Sequence, residues 1–365
     1  MKPFIALLFS CFLVPACSGQ PAKKNTAIAV IAYYSGNDSV IDQYPVEKLT
    51  HIIFSFCHLK GNRLAVDDAR DSATIRKLVS LKSRNSSLKI MLSLGGWGGC
   101  KTCSDVFSTA DGRREFARSV KEINDFFHTD GIDLDWEYPA ISGYPGHTFR
   151  PEDRANFTSL VIQLRDVLGK KHAISFAAGG SDNFLDNSIE WDRVMPVVDW
   201  VNLMSYDLVS GFSTVTGNHT ALYPTPGQQI SADHAIGYLG RLGVPLNKIV
   251  IGAAFYARTW ENVPDSNHGL YQPGKFKNFI PYRQFDTRLK PDNGFVYYQD
   301  TIAKAGFAYN AGTKEFATFE DTLSIGRKTG YAMKKGLYGI MFWELSLDKP
   351  VHGLLDVIDE VKKKK

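Results

Sequence analysis

Residues Asp130-Gly-Ile-Asp-Leu-Asp-Trp-Glu-Tyr-Pro139 place carboxylates at positions 130, 133, 135 and 137, with Ile132, Leu134 and Trp136 between them. Strict polar/apolar alternation is the period of a β-strand, so Asp133, Asp135 and Glu137 project from one face and the bulky apolar side chains from the other. Carboxylates crowded on one face repel one another and raise each other's pKa. Folding gains nothing from that. Acid/base chemistry does, because one carboxyl can be held protonated near neutral pH. A calcium loop would need a turn glycine at the sixth position and a bidentate Glu at the twelfth. Counted from Asp133, those positions hold Tyr138 and Tyr144. A solvated edge strand would not carry Ile, Leu and Trp on its second face.

Four further stretches stand along the chain: Ser93-Leu-Gly-Gly-Trp97, Met204-Ser-Tyr-Asp207, Phe255-Tyr-Ala-Arg258 and Met341-Phe-Trp-Glu344. Together with the DxxDxDxE pattern ending at Glu137, they resemble the signatures of family 18 glycoside hydrolases, the chitinase family, in the same order. The resemblance extends over about residues 27 to 360.

The chain must supply the elements that hold these motifs in place. Short apolar strands are expected at 27–34, 51–59, 89–95, 131–138, 173–178, 200–206, 249–256 and 339–344. Helical patterns separate them at 112–127, 151–168, 232–242 and 320–335. Eight strands alternating with helices predict an α/β fold, a (β/α)8 TIM barrel. The motifs then fall at strand C-terminal ends, where barrel enzymes gather their catalytic groups. About sixty residues between Arg258 and Phe319 are rich in Tyr, Phe, Gly and Pro with little helical period. A structureless loop of that length does not suit a compact domain, so a small α+β insertion over 258–318 is expected, with the barrel at 27–257 and 319–361. It resembles the insertion domain of the family's deep-cleft members.

Glycoside hydrolysis ordinarily needs two carboxyls across the scissile bond, and here they share one strand. The resemblance implies a substrate-assisted route in which the 2-acetamido oxygen of the sugar is the nucleophile. Glu137 would then protonate the glycosidic oxygen and later activate water. Asp135 would hold the acetamido group, and Asp133 would share a proton with Asp135. Tyr206 would donate to the acetamido oxygen, and Asp207 would contact the distorted sugar. Trp343 resembles the floor under the −1 sugar, with Tyr33 and Phe56 beside it. Gly96, Trp97, Tyr138, Met204, Tyr256 and Arg258 match other cleft-lining positions. For the aromatics, a place in the barrel core is the competing reading. Asp130 reads as a strand-entry cap.

The balance of 42 basic against 38 acidic residues gives a net charge of +4, with no basic stripe for nucleic acid. The nine histidines are scattered without a zinc-protease pattern. No Gly-x-Ser-x-Gly elbow or P-loop occurs, and no metal or cofactor is implied. Residues 1–16 read as a secretory signal, with an apolar run too short to span a membrane. Val14-Pro-Ala-Cys17 resembles a bacterial lipobox, which would lipidate Cys17 ahead of a polar tether at 17–26; ordinary cleavage nearby is the alternative. For an exported protein a local Cys100–Cys103 disulfide is expected, and Cys57 reads as a buried thiol. The expected partner is chitin or chitooligosaccharides, met by a monomer whose contact with a membrane runs only through the lipid. An endo-β-N-acetylglucosaminidase acting on N-glycans and a non-catalytic chitin-binding lectin are the alternatives.

Overall fold

A computed structural model describes residues 28–364. Expectations about the signal segment, Cys17 and the tether lie outside the described residues. Fourteen strands are present among those described: β1 (Ala29–Tyr34), β2 (His51–Lys60), β3 (Arg63–Ala65), β4 (Lys89–Gly95), β5 (Gly131–Asp135), β6 (Ala173–Gly179), β7 (Trp200–Met204), β8 (Ile249–Ala254), β9 (Tyr256–Glu261), β10 (Lys275–Pro281), β11 (Val296–Asp300), β12 (Ala305–Asn310), β13 (Glu315–Phe319) and β14 (Gly339–Trp343). The helices are α1 (Ala69–Ser80), α2 (Cys103–Phe107), α3 (Ala110–Phe127), α4 (Asp153–Leu168), α5 (Asp182–Asn187), α6 (Trp191–Val194), α7 (Ala232–Arg241), α8 (Phe285–Arg288), α9 (Thr322–Lys335) and α10 (Leu354–Lys363).

Eight parallel strands close on themselves in the order β1-β14-β8-β7-β6-β5-β4-β2, the β1–β2 pairing completing the ring. The protein is a (β/α)8 barrel. β3 extends β2 as an antiparallel hairpin. Alternation along the strands sorts side chains into two cores. Ile132 and Leu134 of β5 join the outer layer against the helices. Ile31, Tyr33, Ile53, Met91, Trp200, Val250 and Met341 fill the inside of the ring.

Helix boundaries follow capping chemistry. Thr109 accepts from the Gly112 N–H to open α3, and the Phe116 and Val120 side chains face inward from it. Asp321 and Ser324 form a reciprocal capping box at the start of α9, and Gly336, with φ 68°, ends that helix in the left-handed conformation. β5 is shorter than its alternation suggested, ending at Asp135 instead of Tyr138. Trp136 continues the apolar face, packed edge-on against Phe107 at 5.3 Å between ring centroids.

Between β8 and α9 the chain builds a second, five-stranded antiparallel sheet in the order β10-β9-β13-β12-β11. It starts at Tyr256, one residue after Phe255, so Tyr256 and Arg258 lie on the first strand of this sheet and not at the end of barrel strand β8. The separation has a physical basis: Phe255 stacks on Phe342 at 4.1 Å within the barrel layer, and after it β9 pairs with β10 and β13 instead of with the barrel. Cys100 and Cys103 are joined as a disulfide, and Cys57 is a buried free thiol.

Candidate active site

A cleft of about 920 Å³ opens at the C-terminal ends of the barrel strands, with β9 and β10 of the second sheet as one wall. Among the described residues its lining holds three carboxylates, Asp135, Glu137 and Asp207, together with Phe56, Trp97, Tyr138, Met204, Tyr206, Tyr256, Arg258 and Trp343. Eleven side chains singled out in the sequence therefore meet on one surface. Asp133, Tyr33 and Gly96 do not reach it.

Asp133 lies beneath the cleft inside the barrel and is saturated with donors. Its carboxylate accepts from the Tyr33 hydroxyl (3.0 Å), Ser93 Oγ (3.0 Å), Ser175 Oγ (2.6 Å) and Asn202 Nδ2 (3.0 Å). Ser93 and Ser175 are its lateral neighbours in register on β4 and β6. Burial raises its pKa and these four bonds pull it back. Tyr33 is thus a buried support for Asp133 and does not line the cleft.

Asp135, two residues on, has a buried Oδ1 without a hydrogen-bond partner. Burial, the Glu137 charge and the Asp133 charge push its carboxyl well above the usual range. Burial likewise raises Glu137 to about 7; hydrogen bonds with Tyr138 and Asp135 lower it, and the Asp207 charge raises it. The two carboxyls titrate as a pair that holds a proton near neutral pH. Gly95 and Gly96 make this stack possible: a Cβ on Gly95 would sit 2.2 Å from the Asp135 carbonyl, and one on Gly96 would sit 2.3 Å from the Phe56 ring. The Gly96 N–H donates to the Asp135 carbonyl at 2.9 Å.

Asp207, across the cleft, is set the opposite way. The Arg258 guanidinium engages both of its oxygens, and the Tyr256 hydroxyl donates to Oδ1 at 2.8 Å. Burial pushes the Asp207 carboxyl up, yet the Arg258 ion pair outweighs it and holds the group far below the usual carboxylate range. Tyr206, facing Asp135 and Glu137, is raised by burial and surrounding negative charge, so it stays a neutral hydroxyl donor.

Trp343 forms the floor, stacked on Phe56 (5.5 Å, 15°) and tilted against Tyr33 (5.9 Å). Trp97 is 54% exposed at the rim, near Phe212, which is 69% exposed. Sequence reasoning passed over Phe212, Phe276 and Phe279, which also line the cleft; none belongs to a motif. It also passed over Ser175 and Asn202, although a lone polar residue inside an apolar strand is a legible sign of an inward-facing hydrogen bond. Asp130 takes no part: its carboxylate caps the Ile90 N–H at 2.7 Å and pairs with Lys82.

A barrel whose cleft carries a high-pKa acid above an aromatic floor, with an exposed aromatic rim, is the machinery of a glycoside hydrolase. Residues 29–348 match the family model for glycosyl hydrolases family 18, and the chain belongs to that family. Among characterised relatives it is 34% identical over 302 residues to Chitinase A1 of Niallia circulans, covering 76% of this chain but only 43% of that protein. It is 26% identical to Chitinase B of Serratia marcescens, covering 92% of this chain and 84% of that one. Among solved structures, a family 18 N-acetylglucosaminidase from Paenibacillus barengoltzii superposes with a TM-score of 0.83 at 35% identity, over 92% of this chain and 99% of that chain. Chitinase ChiW from a Paenibacillus species superposes with a TM-score of 0.87 at 30% identity, over 92% and 43% of the two chains.

Proposed function

We propose that the protein hydrolyses β-1,4-N-acetylglucosaminide bonds of chitin or chitooligosaccharides, with retention, using the substrate's 2-acetamido oxygen as nucleophile. The carrying observation is the inventory of cleft carboxylates. Asp135 and Glu137 rise from one strand, and the only other carboxylate lining the cleft among the described residues, Asp207, is locked to Arg258. No protein nucleophile is left opposite Glu137, and a family of retaining enzymes that draws its nucleophile from the substrate is the recognised exception to the two-carboxylate rule. Glu137, protonated near neutral pH, delivers its proton to the glycosidic oxygen. Asp135, with its unpartnered oxygen, accepts the acetamido N–H and stabilises the cyclic oxazolinium cation. Tyr206 donates to the acetamido oxygen. Water then attacks the anomeric carbon from the face that the leaving group occupied, and Glu137 takes its proton.

The test is the anomer released from N-acetylchitohexaose, read by proton NMR, with cellohexaose as control. The β-anomer and an inert cellohexaose are expected; efficient cellohexaose cleavage sinks substrate assistance. The 35% identity to an N-acetylglucosaminidase over nearly its whole length favours a second reading, release of single sugars from a chain end. An initial-rate product ladder from the same hexamer decides, since dimers, trimers and tetramers that appear before any monosaccharide or pentamer exclude it.

For location, an exported monomer anchored through a lipid on Cys17 accounts for Val14-Pro-Ala-Cys17 at the end of a short apolar run. Cys17→Ala is expected to move the enzyme from the membrane fraction to the soluble one. Unmutated protein that is already soluble after export defeats the anchor.

A further inference from the structure

The chain that runs on from β7 to Tyr206 and Asp207 leaves the barrel sheet after Met204. Backbone pairing with β8 runs to Leu203 opposite Ile251. The Ser205 N–H then turns back onto the Leu203 carbonyl at 2.8 Å, a tight turn typical of strand ends. This leaves the next β8 residue, Gly252, without a backbone partner from β7. Ser205 Oγ replaces it, accepting from the Gly252 N–H at 2.9 Å and donating to the Gly252 carbonyl at 3.0 Å. The approach is so close that a Cβ on Gly252 would lie 2.4 Å from the Leu203 carbonyl oxygen.

The Gly252 carbonyl has a second donor from an unexpected quarter. Lys328 of α9, 1% exposed, points its ammonium there at 3.1 Å. The ammonium is ion-paired with Glu320, also 1% exposed, which accepts from Ser324 Oγ at 2.5 Å. Neither Lys328 nor Glu320 lines the cleft. Helix packing alone has no use for such a pair, since apolar side chains of similar volume do as well or better.

Glu320 directly follows β13, the strand by which the second sheet returns to the barrel. A second tie leaves the same strand. Thr318 Oγ1 accepts from the His219 N–H at 3.2 Å. His219 in turn accepts from the Leu208 N–H through its carbonyl at 3.1 Å, and its buried ring lies 3.4 Å from Asp207 Oδ1. Both ties converge on residues 205–208.

We infer that the return segment from Thr318 to Lys328 positions Tyr206 and Asp207 for the reaction, Lys328 fixing the strand tip through Gly252 and Ser205, and Thr318 fixing His219 behind Asp207. The second sheet thereby sets the geometry of one side of the cleft as well as walling it. The inference rests on the proposed chitooligosaccharide activity only for its assay.

Lys328→Met leaves Glu320 buried without its cation and is expected to lower Tm by about 5–10 °C. Lys328→Met combined with Glu320→Leu removes both charges and recovers most of that loss. In the double variant kcat on N-acetylchitotetraose nonetheless stays down by about tenfold or more, with KM within about threefold, because positioning acts in the transition state. The alkaline limb of kcat also moves to lower pH, since an Asp207 displaced from the cleft no longer raises the Glu137 pKa. A crystal structure of the double variant is expected to show displaced Tyr206 and Asp207 side chains. A stable double variant with wild-type kcat, an unmoved alkaline limb and unmoved side chains overturns the inference. If Lys328→Met does not fold, the double variant alone decides. If the wild-type enzyme leaves the tetramer intact, the substrate assignment fails instead, and the side-chain positions decide this point.

Discussion

The two walls of the cleft hold the same kind of residue in opposite electrostatic states. On the β5 side, a buried Asp135 and a half-buried Glu137 lie side by side without an ion pair among the described residues, and desolvation pushes both upward, Glu137 to about 7. On the second-sheet side, Asp207 is clamped by Arg258 and driven down. The lesson is that a carboxylate's role here is assigned by its neighbours. The uncompensated pair can carry a mobile proton, whereas the compensated one is a fixed negative charge that tunes its opposite number.

The strongest break in this contrast is Glu137→Gln, which keeps shape and removes the proton. Turnover is expected to fall by about 10³-fold or more while oligosaccharide binding survives; activity within about tenfold of wild type would falsify the acid assignment. The same variant gives a stability signature. A folded pKa raised above the unfolded value means the carboxyl's contribution is fully present below the unfolded value and is lost as pH rises through about 7. Glu137→Gln should therefore raise Tm by a few degrees at pH 8 and leave it nearly unchanged at pH 4.

Next in size is Arg258→Met. It leaves Asp207 partly buried without its cation, so a loss of about 3 kcal/mol in stability and of about a hundredfold in kcat is expected, measured by denaturant melts and initial rates. Asp207→Asn separates charge from scaffold. Without the Asp207 charge the Glu137 pKa drops, and the alkaline limb of kcat should move to lower pH; an unmoved limb would show that the two walls do not communicate.

Trp343→Ala touches the floor between the walls. Its stacking on Phe56 predicts roughly a tenfold loss in kcat/KM, shared between kcat and KM, with the fold intact. Should Tm collapse while the folded fraction keeps normal kinetics, Trp343 belongs to the core. The smallest effect is expected from Asp130→Ala. This acid opens the same motif yet only caps β4 and pairs with lysines outside the cleft, so about 1–2 kcal/mol of stability is lost and kcat is untouched, as chemical denaturation and kinetics on one preparation would show.

Much of this was legible in the sequence because barrel strands write their burial into alternation and apolar runs. The carboxylate motif could be placed on one face for that reason, and Asp130 could be set apart from it as a cap. Legibility failed where the partner was distant in the chain. Tyr256 and Arg258 read as the end of a barrel strand because Phe255 breaks no local pattern; only the pairing of β9 with β10 and β13 reassigns them. Nothing in the sequence singles out Lys328, since Glu320 and Gly252 close over its ammonium only in the folded chain. For Tyr33 the sequence leaves ligand surface and barrel core both open, because an aromatic at a strand end looks the same whether its hydroxyl meets a sugar or, as here, Asp133.

Every strand of the ring runs the same way, and the chain enters it through β1, whose first residue lies at the end of the barrel opposite the cleft. Ile28, the first described residue, therefore lies at the base of the barrel. A surface that met the molecule at this end would leave the cleft on the far side, like the open rim of a cup standing on its base.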